Sequence, residues 1–103
     1  MNPKALYQFL GLCHKAGAML SGDQQLRDGL KHKKGKLLLI AEDASPRTIK
    51  DYQLMAQRAQ IPWRMFGEKE ILGSALGKGI RTAVLITDTG FSKALLKKMD
   101  APL

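Results

Sequence analysis

The chain has 103 residues, and its 45% hydrophobic and 25% charged residues are the balance of an ordinary globular domain. Seventeen lysines and arginines against nine aspartates and glutamates give a net charge of +8 and an isoelectric point near 9.9. This excess favours a nucleic-acid partner over its alternatives, an acidic protein partner or simple solubility. No apolar run approaches the roughly 20 residues of a membrane span, and residues 1–4 do not resemble a signal peptide. We therefore expect a cytoplasmic protein with no membrane partner.

The first helix is predicted to begin at Asn2, a good N-cap, followed by Pro3 in the first turn. Its buried side carries apolar residues at helical spacing, namely Leu6, Phe9, Leu10 and Cys13. Gly17 ends the helix, and residues 18–20 form a brief strand. Because Cys13 is the single cysteine, an internal disulfide framework is excluded and a small core residue is the default interpretation.

The second helix is predicted to open with a capping box, in which the Ser21 side chain caps the helix and Gln24 bonds back. Leu26 and Leu30 mark its buried side. Lysines occupy its last turn, where cations interact favourably with the helix dipole. Gly35 is predicted to stop it.

Strands and helices alternate along the rest of the chain. The predicted order is a strand over 37–41, a helix opened by Ser45 and Pro46, a strand over 61–66, a helix over 68–76, a strand over 82–87 and a last helix capped by Asp88 or Thr89. The fold class is therefore α/β: a three-layer α/β/α sandwich around a roughly four-stranded mixed sheet. We expect residues 1–103 to form a single domain.

Patterns that carry catalysis or bind metals do not emerge from the sequence. His14 and His32 lack the partner spacing of a zinc site, and adjacent Cys13 and His14 point about 100° apart on a helix. Residues 73–79 are one residue short of a phosphate-binding loop and end a helix instead of opening one. We expect no enzymatic activity, no cofactor and no metal.

Five short motifs, in their order along the chain, resemble the kink-turn-binding ribosomal protein family named after archaeal L7Ae. They are Gly11-Leu12-x-x-Lys15-Ala16-Gly17, Ser21-Gly22, Leu37–Ile40 continued by Ala41–Ser45, Leu72-Gly73-x-x-Leu76-Gly77-Lys78, and Ile86-Thr87-Asp88-x-Gly90-Phe91. The last two resemble its small bacterial YlxQ-type branch in particular. The resemblance runs over about residues 5 to 96. It implies an α/β/α sandwich that binds sharply bent RNA through two elements.

The first element implied by the resemblance is the start of the second helix, at Gly22, Gln24 and Gln25. Glycine lets the backbone approach a phosphate, and the free amides of a helix start attract it. Glutamine both donates and accepts hydrogen bonds, which suits readout of base edges. For Gln24 the alternative role is the capping box, so Gln25 is the preferred contact.

The second element is the loop before the last strand, at Lys78, Gly79, Ile80 and Arg81. An exposed isoleucine beside two cations fits stacking on an unpaired nucleotide. The alternative is that Ile80 only starts the last strand. Lys31 and Lys36 are expected to attract RNA phosphates. The alternative is that they belong to a solvated helix end with no role in binding.

One residue departs from the family pattern. Where kink-turn binders usually carry a lysine on the second helix, this chain has Asp28, whose carboxylate repels phosphate. The sequence therefore predicts a non-enzymatic protein that binds kink-turn-like structured RNA in a ribosomal or ribonucleoprotein context. We expect it to be monomeric, with structured RNA such as ribosomal RNA, and ribosomal proteins, as its partners. The alternative that Asp28 favours is a protein-interaction module with weak or non-specific RNA affinity.

Overall fold

A computed structural model describes residues 2–101, so Met1, Pro102 and Leu103 of the predicted domain lie outside the described residues. Five helices and four strands alternate within this range. In chain order they are α1 (Pro3–Lys15), β1 (Met19–Leu20), α2 (Asp23–Lys31), β2 (Leu37–Ile40), α3 (Pro46–Ala59), β3 (Trp63–Met65), α4 (Lys69–Ala75), β4 (Ala83–Ile86) and α5 (Thr89–Met99). The predicted order of elements is confirmed, although the three longer strands are one to three residues shorter than predicted.

The strands form one sheet in the order β1-β4-β2-β3. The central pair, β2 and β4, is antiparallel, with Leu37 opposite Ile86 and Ile40 opposite Ala83. β3 pairs parallel to β2, and β1 pairs antiparallel to β4. The predicted four-stranded mixed sheet is confirmed. All eight residues of the central pair are buried, which explains their continuous apolar sequence.

Helices cover both faces of the sheet, because alternate residues of each strand point to opposite sides. One core joins α1, α4 and α5 to Leu37, Leu39, Val84 and Ile86. The other core joins α2 and α3 to Leu38, Ile40, Ala83 and Leu85. The predicted three-layer α/β/α sandwich is therefore confirmed.

Three helices begin where the sequence predicts. Their N-cap side chains accept hydrogen bonds from backbone amides three residues later: Asn2 from Ala5 at 2.8 Å, Ser45 from Thr48 at 3.2 Å, and Asp88 from Phe91 at 2.8 Å. Each bond satisfies an amide that has no partner within the helix. Gly17 has the positive φ of 73° that ends α1.

The start of α2 is shifted by one residue from its prediction. Its N-cap is Gly22, with φ −72° and ψ 141°, and no side chain caps the helix. The predicted capping box between Ser21 and Gln24 is therefore wrong. Gln25, not Gln24, occupies the third helical position, from which a capping-box side chain reaches back.

The end of α2 also differs from its prediction. The turn is closed by Lys33, which adopts a left-handed φ of 57° and donates its amide to the Leu30 carbonyl at 3.2 Å. Gly35 was predicted to stop the helix, and this is wrong. Gly35 is needed for packing instead, because a Cβ there would lie 2.5 Å from Cδ1 of Leu85.

Candidate nucleic-acid interface

The two predicted RNA-contacting elements meet at one end of the sheet. The loop of residues 77–81 leads into β4, whose first residue pairs with Ile40 at the end of β2. β1 runs antiparallel to β4, so Ser21, directly after β1, emerges at the same end. The start of α2 and the 77–81 loop are therefore neighbours in space.

Arg81 joins the two elements. Its Nε donates to the Ser21 hydroxyl at 3.3 Å, and its Nη1 donates to the Ile80 carbonyl at 3.0 Å. Its backbone amide donates to the Lys69 carbonyl at 3.0 Å. The side chain is partly buried, so it holds the loop against the start of α2 while keeping a cation at their junction.

The rest of the loop is exposed. Ile80 has 56% of its surface exposed and precedes β4 by three residues, so it does not form part of the last strand. Lys78 and Gly79 are exposed as well. Covering an exposed isoleucine with a base is favourable, because it removes apolar surface from water. The loop thus presents an apolar tip beside cations.

A glycine that the sequence analysis did not assign a role determines where this loop lies. A Cβ on Gly73 would come 1.8 Å from the carbonyl oxygen of Gly79. The 77–81 loop therefore packs directly on the backbone of α4, and only glycine leaves room for it. Gly73 is part of the family-like motif, but its contact with Gly79 is not visible in the sequence.

The first turn of α2 presents backbone amides beside two glutamines. Because no side chain caps it at Gly22, these amides face outward to a ligand or water. The Gln25 carboxamide folds over Gly22, with Oε1 3.6 Å from where a Cβ would stand. Gln24 donates from Nε2 to Asp28 Oδ1 at 3.3 Å. The helix dipole and the two amide side chains favour an anionic, hydrogen-bonding ligand here.

A polar cluster of Asp23, Arg27 and Tyr52 fixes the orientation of α2 on α3. The buried Tyr52 hydroxyl donates to the Asp23 carboxylate, and Arg27 Nε donates to the same carboxylate at 2.9 Å. The bond from Tyr52, supported by Arg27, holds the pKa of Asp23 below its usual value. Burial, together with the bond to Asp23, raises the pKa of Tyr52 to about 12. The sequence alone does not reveal this polar role of Tyr52.

Two of the predicted site residues, Lys31 and Lys36, lie away from the start of α2 and the 77–81 loop. α2 is nine residues and so about 13 Å long, and Lys31 is at its far end from Gly22. Lys36 donates its amide to the Ile86 carbonyl at 2.7 Å, at the opposite end of the sheet from Arg81. The structure thus brings the start of α2 and the 77–81 loop together through Ser21 and Arg81, but places these two lysines elsewhere.

The remaining chemistry-bearing groups do not assemble a centre. Cys13 lies on the buried side of α1, and burial raises the pKa of its thiol to about 11. Within residues 2–101, no cluster of three or more histidine, cysteine, aspartate or glutamate side chains is arranged to hold a metal ion. In the same range, no helix combines the length and apolarity required to cross a membrane.

Comparison with protein families identifies the family of this chain. Residues 4–96 match the ribosomal protein L7Ae/L30e/S12e/Gadd45 family. The chain belongs to this family. It is 30% identical over 100 residues to RNA-binding protein YlxQ of Bacillus subtilis (strain 168), covering 97% of this chain and all of the relative. RNA-binding protein YlxQ of Enterococcus faecium is 29% identical over 93 residues, covering 89% and 88% of the two chains.

Two solved structures share the fold. A protein of unknown function from Bacillus halodurans C superposes with a TM-score of 0.84 at 30% identity, over 91% of this chain and 95% of the other. The Giardia lamblia 15.5kD RNA binding protein superposes with a TM-score of 0.77 at 20% identity, over 93% and 85%. At that identity the second likeness concerns the fold alone. The resemblance inferred from the sequence motifs is confirmed.

Proposed function

We propose that this protein is a single-domain, non-enzymatic RNA-binding protein that recognises kink-turn-like structured RNA in a ribosomal or ribonucleoprotein setting in the cytoplasm. The binding surface consists of the first turn of α2 and the 77–81 loop, and it acts in the monomer. Family membership and the names of the bacterial relatives support RNA as the ligand class. Ribosomal RNA and ribosomal proteins are the partners that fit this setting.

One observation carries the proposal: the bond of 3.3 Å from Arg81 Nε to the Ser21 hydroxyl. It joins an uncapped helix start to a loop with an exposed isoleucine. A uniform duplex offers phosphates but no unpaired base, so it can use only part of such a surface. A bent RNA with extruded nucleotides can place a phosphate on the amides of α2 and a base against Ile80 at once.

The experiment is a fluorescence anisotropy titration of a kink-turn RNA and of an uninterrupted duplex of equal length. We expect tighter binding of the kink-turn, about tenfold at 0.1 M salt, with both affinities falling as salt rises. Gln25→Ala should remove most of this preference, because the amide that reads the base edge is lost. Equal binding of the two RNAs by the wild-type protein would leave charge alone and contradict the proposal.

A control variant separates the surface from the general charge. Lys97 is an exposed lysine of α5, in the helical layer on the other side of the sheet from α2. Lys97→Gln should lower both affinities slightly and equally, and preserve their ratio. A ratio that changes as much in Lys97→Gln as in Gln25→Ala would show that the mapped surface is wrong.

Protein binding is the second candidate function, and a groove between α1 and α4 favours it. The groove encloses about 590 Å³, and its apolar walls include Leu12, with 59% of its surface exposed, and Ile71. Lys4 and Lys15 line it and no carboxylate does, which fits an acidic amphipathic helix. Binding of such a peptide to the wild-type protein but not to Leu12→Asp, without RNA discrimination, would favour this function.

A further inference from the structure

A second groove, which we call the basic groove, lies between the C-terminal halves of α2 and α3. It encloses about 400 Å³ and is lined by Arg27, Leu30, Lys31, Lys33, Met55, Arg58 and Ala59. We propose that the basic groove holds an unpaired nucleotide of an RNA strand that flanks the structured element. This inference rests on the proposed RNA-binding function and adds a second contact to it.

The charge of the basic groove selects an anion. Four of its seven lining residues are cations, and none is a carboxylate. Arg27 pairs with Asp23, which compensates its charge, and Asp51 on α3 adds a weaker negative field at Arg27. Lys31, Lys33 and Arg58 form no ion pair, a statement that holds for residues 2–101. Three uncompensated cations around one groove suit a phosphodiester, which carries one negative charge per nucleotide.

The floor of the basic groove suits the uncharged part of a nucleotide. Leu30, Met55 and Ala59 contribute apolar side chains against which a base can pack. A volume of about 400 Å³ falls within the range of small-molecule sites and is too small for a duplex. These two features favour a single unpaired nucleotide over a double helix.

Arg27 supplies a stacking surface. Its guanidinium lies over the Tyr52 ring, 5.4 Å from the centroid, and is held there by Asp23. The Arg27 side chain remains 44% exposed, so the plane is presented to the solvent. RNA bases stack on arginine guanidinium planes. A base placed on the exposed part of Arg27 would meet a guanidinium that Asp23 and Tyr52 already hold in position.

The position of the basic groove determines which part of the RNA reaches it. It adjoins Lys31, at the far end of α2 from Gly22. The separation is about 13 Å along the helix, a distance that a short single strand can span. A short flanking strand that leaves the structured element at the start of α2 can therefore reach the basic groove.

The test compares a kink-turn RNA with the same RNA carrying four unpaired flanking nucleotides. The flank is added to each strand end in a separate RNA, because only a flank that leaves the RNA toward the basic groove can enter it. In the wild-type protein we expect one flank to tighten binding about tenfold, as one stacked base with its phosphate would. In a Lys31→Glu/Arg58→Glu double variant, the ratio of extended to core affinity should fall to about one.

The control is Lys93→Glu/Lys97→Glu on α5, which changes the net charge equally and places one substitution in the last turn of a helix, where the test variant places two. It should keep the tenfold ratio. The inference is overturned if neither flank tightens wild-type binding, or if the ratio survives in Lys31→Glu/Arg58→Glu. The ratio of extended to core affinity does not depend on the preference for a kink-turn over a duplex. The duplex comparison can therefore contradict the proposed function while the effect of the flank remains. Urea unfolding of each variant verifies that the fold is intact.

Discussion

The carbonyl oxygen of Gly79 lies 1.8 Å from the position that a Cβ on Gly73 would occupy. This approach fixes the height of the 77–81 loop above α4, and with it the positions of Ile80 and Arg81. Gly73→Ala must push the loop away, because the clash is with backbone and not with a flexible side chain. We expect a loss of about 2 kcal/mol in the free energy of unfolding, together with weaker RNA binding.

Gly79→Ala is the control for the stability part of this prediction. A Cβ on Gly79 meets no atom within 4 Å, and its φ is not positive. Its unfolding free energy, measured by urea titration, should stay within about 0.5 kcal/mol of wild type. Equal stability of Gly73→Ala and Gly79→Ala would refute the packing argument.

The Tyr52–Asp23 bond gives stability a specific pH dependence. The pKa of Asp23 is lowered in the folded state, so its contribution is present above the unfolded value of about 3.9 and is lost as pH falls through the folded pKa. The pKa of Tyr52 is raised to about 12, so its contribution is present below about pH 10 and is lost between about 10 and 12.

Tyr52→Phe should therefore be less stable than wild type by about 1 kcal/mol at pH 7, because Asp23 is largely exposed and screened. The difference should shrink below pH 4 and again above pH 10. Urea unfolding of both proteins across this range measures it. A difference that stays constant with pH would mean that the variant loses packing and not this hydrogen bond.

We expect Asp28 to oppose RNA binding at the proposed surface, because its carboxylate repels phosphate. Asp28→Lys replaces a carboxylate near the first turn of α2 with a cation, and we expect about tenfold tighter RNA binding with a steeper salt dependence. The near-isosteric Asp28→Asn, which removes one charge only, should give an intermediate gain. If neither variant changes affinity in anisotropy titrations, phosphate does not approach this face of α2.

Lys33 ends α2 in a left-handed conformation that disfavours any residue with a Cβ. Lys33→Gly should raise the free energy of unfolding by about 1 kcal/mol, since glycine adopts this conformation without steric cost. Lys34→Gly, at a neighbouring residue with ordinary φ, should instead lower it slightly. Thermal unfolding distinguishes them, and a loss of stability in both variants would contradict the prediction.

Local chemistry explains which elements the sequence predicts well. Asn2, Ser45 and Asp88 cap their helices with their own side chains, within three residues, so short-range patterns suffice. The buried β2 and β4 are recognisable because both of their faces need apolar residues. The family resemblance then predicts which elements of this framework contact RNA.

Long-range contacts explain what the sequence does not predict. Ser21 is not the N-cap because α2 begins one residue later, and its hydroxyl instead accepts a hydrogen bond from Arg81, sixty positions away. Gly35 is not the helix stop because Lys33 closes the turn, and the glycine instead leaves room for Leu85 on a distant strand. The basic groove joins residues of α2 and α3, and only their packing brings Lys31 and Arg58 to one rim.

Ser21 and Arg81 are sixty residues apart in the chain, so the surface that they join requires the folded domain. A surface built from such distant segments exists only after β1 has paired with β4, so no fragment that lacks either strand can form it. An RNA that contacts both segments binds the native state and not the unfolded chain. Mass action then makes the midpoint of thermal unfolding rise with RNA concentration, so the melting curve itself becomes a binding assay.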